Sequence, residues 1–145
     1  MTTNLVPNAA VDPEIVERMR ARYGSKIGNR YAQVKLIEAL MRHYQKQDPE
    51  HWREKLLAAV RAAFPDRYDE IAQNLDRRIE YERWMKENRT YLDTLEPDAR
   101  RAAIREEREK LFGKDATDEI WAAEQRNQAV YDTLKEIDGL QDKNV

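Results

Sequence analysis

The apolar positions of this chain recur every three to four residues, which is the period of an amphipathic α-helix, and no stretch alternates as a β-strand does. Capping residues, prolines and glycines divide the pattern into about six helices. The predicted helices begin at Pro13, after Asn29, and at Pro49, Asp66, Pro97 and Asp115, and they end near Gly24, Gln47, Phe64, Leu92, Gly113 and Asp138. We therefore predict one all-α domain over residues 1–145, with flexible ends at 1–11 and 140–145.

The apolar face of the fourth predicted helix changes sides near Glu80. The residues on one face of its first half are Tyr68, Ile71, Ala72, Leu75 and Ile79, and those on the opposite face of its second half are Tyr81, Trp84, Met85, Tyr91 and Leu92. A helix packed on one core keeps a single apolar stripe. The change predicts a long helix that bridges two packing partners in an elongated array. A kink is the alternative, although neither Pro nor Gly is present to cause one.

Large aromatic side chains on that second half are candidates for binding a partner, because such residues dominate the energetics of interfaces. The candidate partner-binding residues are Tyr81, Trp84, Met85, Tyr91 and Trp121. The alternative is that later helices fold back and bury these residues in an internal core.

The sixth predicted helix carries apolar residues at the alternating spacing of four and three that is typical of a coiled coil. The seam consists of Ala116, Ile120, Ala123, Asn127, Val130, Leu134 and Ile137. Asn127 lies in its middle, where a single polar residue can fix the register at some cost in stability. This pattern fits packing within the chain as well as self-association, and Trp121 lies off the seam.

Composition excludes several classes of chemistry. Because the chain has no cysteine, disulfides, zinc–thiolate sites and thiol catalysis are impossible. Ser25 is the only serine and lies in no nucleophile or phosphate-loop motif, and His43 and His51 do not match a metal-ligand spacing. We expect no catalytic residues, metal, cofactor or small-molecule substrate.

Charge and hydropathy bear on partners and location. The net charge is −2, and acidic and basic residues are interleaved rather than gathered on one basic face. Binding of nucleic acid is therefore a third hypothesis, resting on Arg18, Arg20, Arg22, Lys26 and Arg30. No apolar run approaches the roughly 20 residues of a membrane span, and Met1–Ala10 lacks signal-peptide features. We expect a cytoplasmic protein, or a periplasmic one if the chain has been trimmed.

One segment resembles a known family. The stretch Arg105–Leu134 reads REEREKLFGKDATDEIWAAEQRNQAVYDTL, and its element Arg108-x-x-Leu-Phe-Gly113, with the preceding Leu95–Arg100, resembles the bacterial lipase-specific foldases. These proteins are steric chaperones of secreted lipases, so the resemblance implies an extended helical scaffold that wraps a protein client. The family's Arg-x-x-Phe-Asp-Tyr motif has no counterpart, since neither Phe64 nor Phe112 precedes Asp-Tyr.

Together these observations predict a non-catalytic helical scaffold that binds other proteins. The first hypothesis is a foldase-like scaffold that holds a protein client, and the second is a small helical adaptor or homodimer without a chaperone role.

Overall fold

The structure, a computed structural model, describes the backbone of residues 11–143 and the side chains of residues 11–140. Over this range the chain forms eight α-helices and no strand, which confirms the all-α prediction. The helices are α1 (Pro13–Tyr23), α2 (Arg30–Gln47), α3 (Trp52–Ala63), α4 (Tyr68–Glu87), α5 (Arg89–Asp93), α6 (Pro97–Phe112), α7 (Lys114–Ile120) and α8 (Ala122–Lys143). Two short 3₁₀ helices, Gly24–Lys26 and Pro65–Arg67, connect α1 to α2 and α3 to α4.

Side-chain caps set the starts of the first two helices where the sequence predicts them. The Asp12 carboxylate accepts a hydrogen bond from the Glu14 amide at 2.9 Å. The Asn29 side chain accepts from the amides of Tyr31 and Ala32. Both caps satisfy N–H groups that have no partner within the helix.

The third helix begins at Trp52, three residues later than the predicted Pro49. Asp48 does not cap a helix at Pro49, because its carboxylate accepts from the backbone amide of His51 and pairs with Lys55 at 3.1 Å. These contacts, with one to the imidazole of His51, hold the pKa of Asp48 below its ordinary value, and the hydrogen bond from Lys55 is the largest cause. Asp48 therefore closes a turn before α3.

The count exceeds six because two predicted helices are each divided. The first division falls at Asn88, whose side-chain amide donates to the Trp84 carbonyl at 2.9 Å. The second falls at Trp121, which leaves helical geometry with φ −107° and ψ 23°. Neither division has a proline or glycine to signal it. Conversely, Gly139 does not end α8, which continues to Lys143.

Gly113 ends α6 and also begins α7. Its φ of 84° is positive, as a glycine cap predicts, but its ψ of 159° is extended rather than left-handed helical. Its amide donates to the Glu109 carbonyl at 2.8 Å, and its own carbonyl accepts from Thr117 at 3.0 Å. An L-amino acid rarely adopts this backbone conformation, so the corner between α6 and α7 depends on glycine.

Buried side chains form two hydrophobic cores. The first core is formed by α1, α2, α3 and the first half of α4, and includes Leu36, Leu56 and Ile71. The second core lies between α2, α4, α6 and α7, and its buried members are Val34, Tyr81, Phe112 and Ile120. The apolar face of α4 changes sides because the helix contributes to both cores.

No helix among the described residues is long and apolar enough to cross a membrane.

Candidate protein-binding surface

Within the described part of the chain, the last helix carries most of the large apolar side chains that are exposed. Every residue from Ala129 to Leu140 is exposed. Among the described residues, seven large hydrophobic side chains are exposed, and five of them lie on α8. Those five are Val130 (59% exposed), Tyr131 (60%), Leu134 (56%), Ile137 (44%) and Leu140 (60%).

Three of these five side chains, those of Val130, Leu134 and Ile137, lie along one side of α8. At about 100° per residue, Val130, Leu134 and Ile137 fall within an arc of about 60°. Tyr131 and Leu140 border this arc on its two sides. We define the α8 stripe as Ala123, Asn127, Val130, Leu134 and Ile137.

The opposite, polar face of α8 is turned toward the rest of the protein. A groove of about 390 Å³ separates α8 from α6. The side chains that α8 contributes to this groove include Glu124, Gln128 and Asp132, and none of them belongs to the stripe. A surface helix normally turns its apolar side inward. In the first three turns of α8 the side nearer α6 is the polar one, so the stripe faces solvent.

Arg108 on α6 fixes the base of α8. Its Nε donates to the Tyr81 hydroxyl at 2.8 Å, and its two terminal nitrogens each lie 3.2 Å from a carboxylate oxygen of Glu124. The guanidinium also lies 4.3 Å from the ring centroid of Trp121. The Arg108 side chain is only 13% exposed, so its contacts with Tyr81 and Trp121 are shielded from water, whereas the Glu124 side chain is 61% exposed. The start of α8 is therefore tied to both α4 and α6.

The structure distributes the predicted aromatic set over different environments. Tyr81 is buried in the second core, and Met85 and Trp121 pack against that core. Trp84 is half-buried, and only Tyr91 is exposed, at 58%. The five residues therefore do not form one accessible surface, because α6 and α7 fold back over the second half of α4.

The predicted seam is divided at Trp121. On the α7 side, Ile120 is buried in the second core and Ala116 packs against it. On the α8 side, Asn127, Val130 and Leu134 are exposed. The residues of the predicted seam are evenly spaced in the sequence, but some of them lie in an internal core and the others on an exposed surface.

Three of the five basic residues considered for nucleic acid contact the fold itself. Arg20 donates to the carbonyls of Ala62 and Ala63, at 2.8 and 3.1 Å, and so covers the end of α3. Arg30 donates to the Phe112 carbonyl at 2.6 Å. Arg18 pairs with Glu14 on its own helix. No specific contact favours Arg22 and Lys26 as a separate binding site.

A buried pair of amides, which the sequence did not indicate, joins α2 to α4. Asn74 donates to the side-chain carbonyl of Gln33 at 2.6 Å, and Gln33 donates to the Ile27 carbonyl and to Glu70. Arg77 donates to the side-chain carbonyl of Asn74 at 2.8 Å. The feature of the sequence that could have indicated this pair is the position of polar Gln33 between the apolar residues Ala32 and Val34 of α2. Each amide has partners, as buried polar groups require.

The surroundings of this amide pair shift the pKa values of two neighbouring charged residues. The hydrogen bond from Gln33, with a contribution from Arg67, holds the pKa of Glu70 below its ordinary value. Burial, together with the charge of Arg30, lowers the pKa of Arg77. The arrangement has no nucleophile, and we assign it a role in fixing α2 against α4.

Groups of three or more acidic or histidine side chains that could hold a metal ion do not occur within the described part of the chain. In comparisons with protein-family models, curated proteins and solved structures, nothing matched this chain.

Proposed function

We propose that this protein is a non-catalytic helical scaffold that binds a partner protein by pairing α8 with a helix of that partner. The observation that carries the proposal is the exposure of the α8 stripe, which lies on the side of α8 away from α6.

Burial of the stripe supplies a driving force for binding. Fully burying a Val, Leu or Ile side chain is worth about 1.5–3 kcal/mol, and Val130, Leu134 and Ile137 are about half exposed. An isolated helix in water is marginal, and most helices in proteins are stabilised by packing of their apolar face. A helical partner would supply that packing, as in other complexes in which helices pair through apolar positions at this spacing.

The foldase resemblance supports the scaffold part of this proposal. Its motif residues build the corner between α6 and α7 and contact the start of α8: Phe112 is fully buried, Gly113 makes the turn, and Arg108 stacks on Trp121. If the partner is not a second copy of this chain, we propose that it is a client protein that the scaffold wraps during folding, as the resemblance implies.

We also propose that the protein is elongated. The participation of α4 in both hydrophobic cores supports this shape. Small-angle scattering on the monomer should give a radius of gyration above the compact expectation of about 15 Å. A value at the compact figure would contradict the elongated shape.

A pair of matched variants tests the binding surface. A photocrosslinker at Leu134 would trap the partner, which is then purified and titrated against each variant. Leu134→Glu places a charge in the stripe and should weaken binding at least tenfold, or about 1.4 kcal/mol. Ala129→Glu introduces the same side chain on the other side of α8 and should leave binding nearly unchanged. Equal affinities for both variants would refute α8 as the binding surface.

A further inference from the structure

We infer that the α8 stripe pairs with the α8 stripe of a second copy of this chain, in a parallel and in-register coiled coil. The inference rests on the proposed function and names the partner of that surface.

The polar residue within the stripe is best satisfied by a second copy. In the heptad set by the spacing, Asn127 and Leu134 occupy one core position and Val130 and Ile137 the other. An apolar partner would bury the Asn127 amide without a hydrogen bond, which is costly. A parallel, in-register copy instead brings Asn127 against Asn127. Each amide both donates and accepts, so the two can bond to one another.

The residues on either side of the core positions of the coiled coil are compatible with the parallel arrangement. Coiled-coil geometry places Arg126 of one copy near Tyr131 of the other, and Thr133 near Asp138. Neither pairing opposes like charges, and the first permits a cation–π contact. Parallel pairing therefore leaves no repulsive contact at these flanks.

The antiparallel arrangement fits less well. Two antiparallel registers place core positions of the two stripes opposite one another, and they face Asn127 with Val130 or with Ile137, so the amide meets an apolar side chain in both. The sequence of α8 thus favours parallel pairing over antiparallel pairing.

The orientation of α8 leaves space for the second copy. The groove toward α6 lies on the polar side of α8, and the stripe lies on the opposite side. Two copies that join through their stripes keep α6 and the cores outside the pair. The stripe from Ala123 to Ile137 is about 22 Å long, so the interface is small. We expect a dissociation constant on the order of 10 µM, in the range of weak, small interfaces.

The absence of native cysteine permits a direct test of orientation. Ala123→Cys lies at one end of the stripe, where parallel pairing brings the two thiols within disulfide range. Antiparallel pairing would separate them by about 16 Å or about 27 Å, depending on the register. Glu136→Cys, which is exposed away from the stripe, is the matched control. Under mild oxidation, the Ala123→Cys protein should form a disulfide-linked dimer at least about tenfold faster than the control.

Sedimentation completes the test with the full chain, at concentrations from about 1 µM to about 500 µM. The wild type should change from monomer to dimer across this range, and Leu134→Glu should remain monomeric while circular dichroism shows that it is folded. A wild type that stays monomeric throughout would overturn the inference. A dimer that crosslinks through a mixture of Asn127→Cys chains with either Val130→Cys or Ile137→Cys chains, but not through Ala123→Cys, would overturn the parallel arrangement.

Failure of this inference and failure of the proposed function give different results. A monomer that still binds a different protein through Leu134 overturns self-pairing and leaves the scaffold proposal intact. A monomer for which the Leu134 crosslinker traps no partner that depends on the stripe contradicts both.

Discussion

The guanidinium of Arg108 lies over the indole of Trp121, 4.3 Å from its ring centroid, at the point where the chain passes from α7 to α8. The indole also meets Phe112 edge-on, with centroids 5.6 Å apart, and tilts toward Tyr81 at 5.3 Å. Residues from α4, from α6 and from the junction of α7 and α8 thus surround the break between the last two helices. The position of α8 relative to the second core depends on this cluster.

Replacing Arg108 by alanine should lower the free energy of unfolding by about 2–4 kcal/mol, because the change removes charged hydrogen bonds and a shielded cation–π contact. Urea denaturation measures the effect. Arg105→Ala is the matched control, since Arg105 pairs with Asp118 in a half-exposed position that contributes no more than about 1 kcal/mol. Equal losses in the free energy of unfolding for Arg108→Ala and Arg105→Ala would contradict the stabilising role that we assign to Arg108.

Two tyrosines from the predicted aromatic set should respond differently to truncation. Tyr81 is 6% exposed, so Tyr81→Ala should cost about 3–5 kcal/mol of folding stability, as deletion of a buried aromatic ring does. Tyr91 is 58% exposed, and Tyr91→Ala should change stability by less than about 0.5 kcal/mol. Thermal and urea unfolding of both variants give the comparison. A loss for Tyr91→Ala as large as that for Tyr81→Ala would contradict the burial described above.

The sequence predicted the features that depend on local signals or on helical spacing. The ends of α1, α2 and α6 follow from caps, prolines and a glycine, and the change of face near Glu80 follows from a simple periodicity. The breaks at Asn88 and Trp121 were missed, because they arise from a side-chain hydrogen bond and from tertiary packing. Periodicity also could not show that Ile120 packs internally while Leu134 remains exposed, since both occupy the same seam.

Burial of Asn74 illustrates the same limit. Its position on the polar side of α4 predicts exposure, yet it is 3% exposed because it meets Gln33 of α2. A polar residue can be buried when a distant residue supplies a hydrogen bond, and the spacing within one helix does not contain that information.

Single and double changes at this amide pair should be non-additive. Gln33→Leu or Asn74→Leu leaves the remaining buried amide without its partner, and each should cost about 1–3 kcal/mol. The double variant removes both groups, so its loss should be smaller than the sum of the two single losses by about 0.5–3 kcal/mol. Urea unfolding of the four proteins measures this coupling. Strict additivity would show that the hydrogen bond between the two amides contributes nothing.

Amide hydrogen exchange should distinguish α8 from the other helices. From Ala129 to Leu140 the side chains of α8 are all exposed, so its backbone hydrogen bonds receive little support from packing. Amides of this segment should exchange rapidly at low protein concentration and slow as the concentration rises, because pairing through the stripe adds the missing packing. Amides of α2, which contributes Val34 and Leu36 to the two cores, should be protected at every concentration. In Leu134→Glu the exchange of α8 should stay rapid at high concentration while that of α2 is unchanged. Protection of α8 that is strong at low concentration and insensitive to Leu134→Glu would mean that the helix is stabilised without a partner, and the reason for assigning it a binding role would be lost.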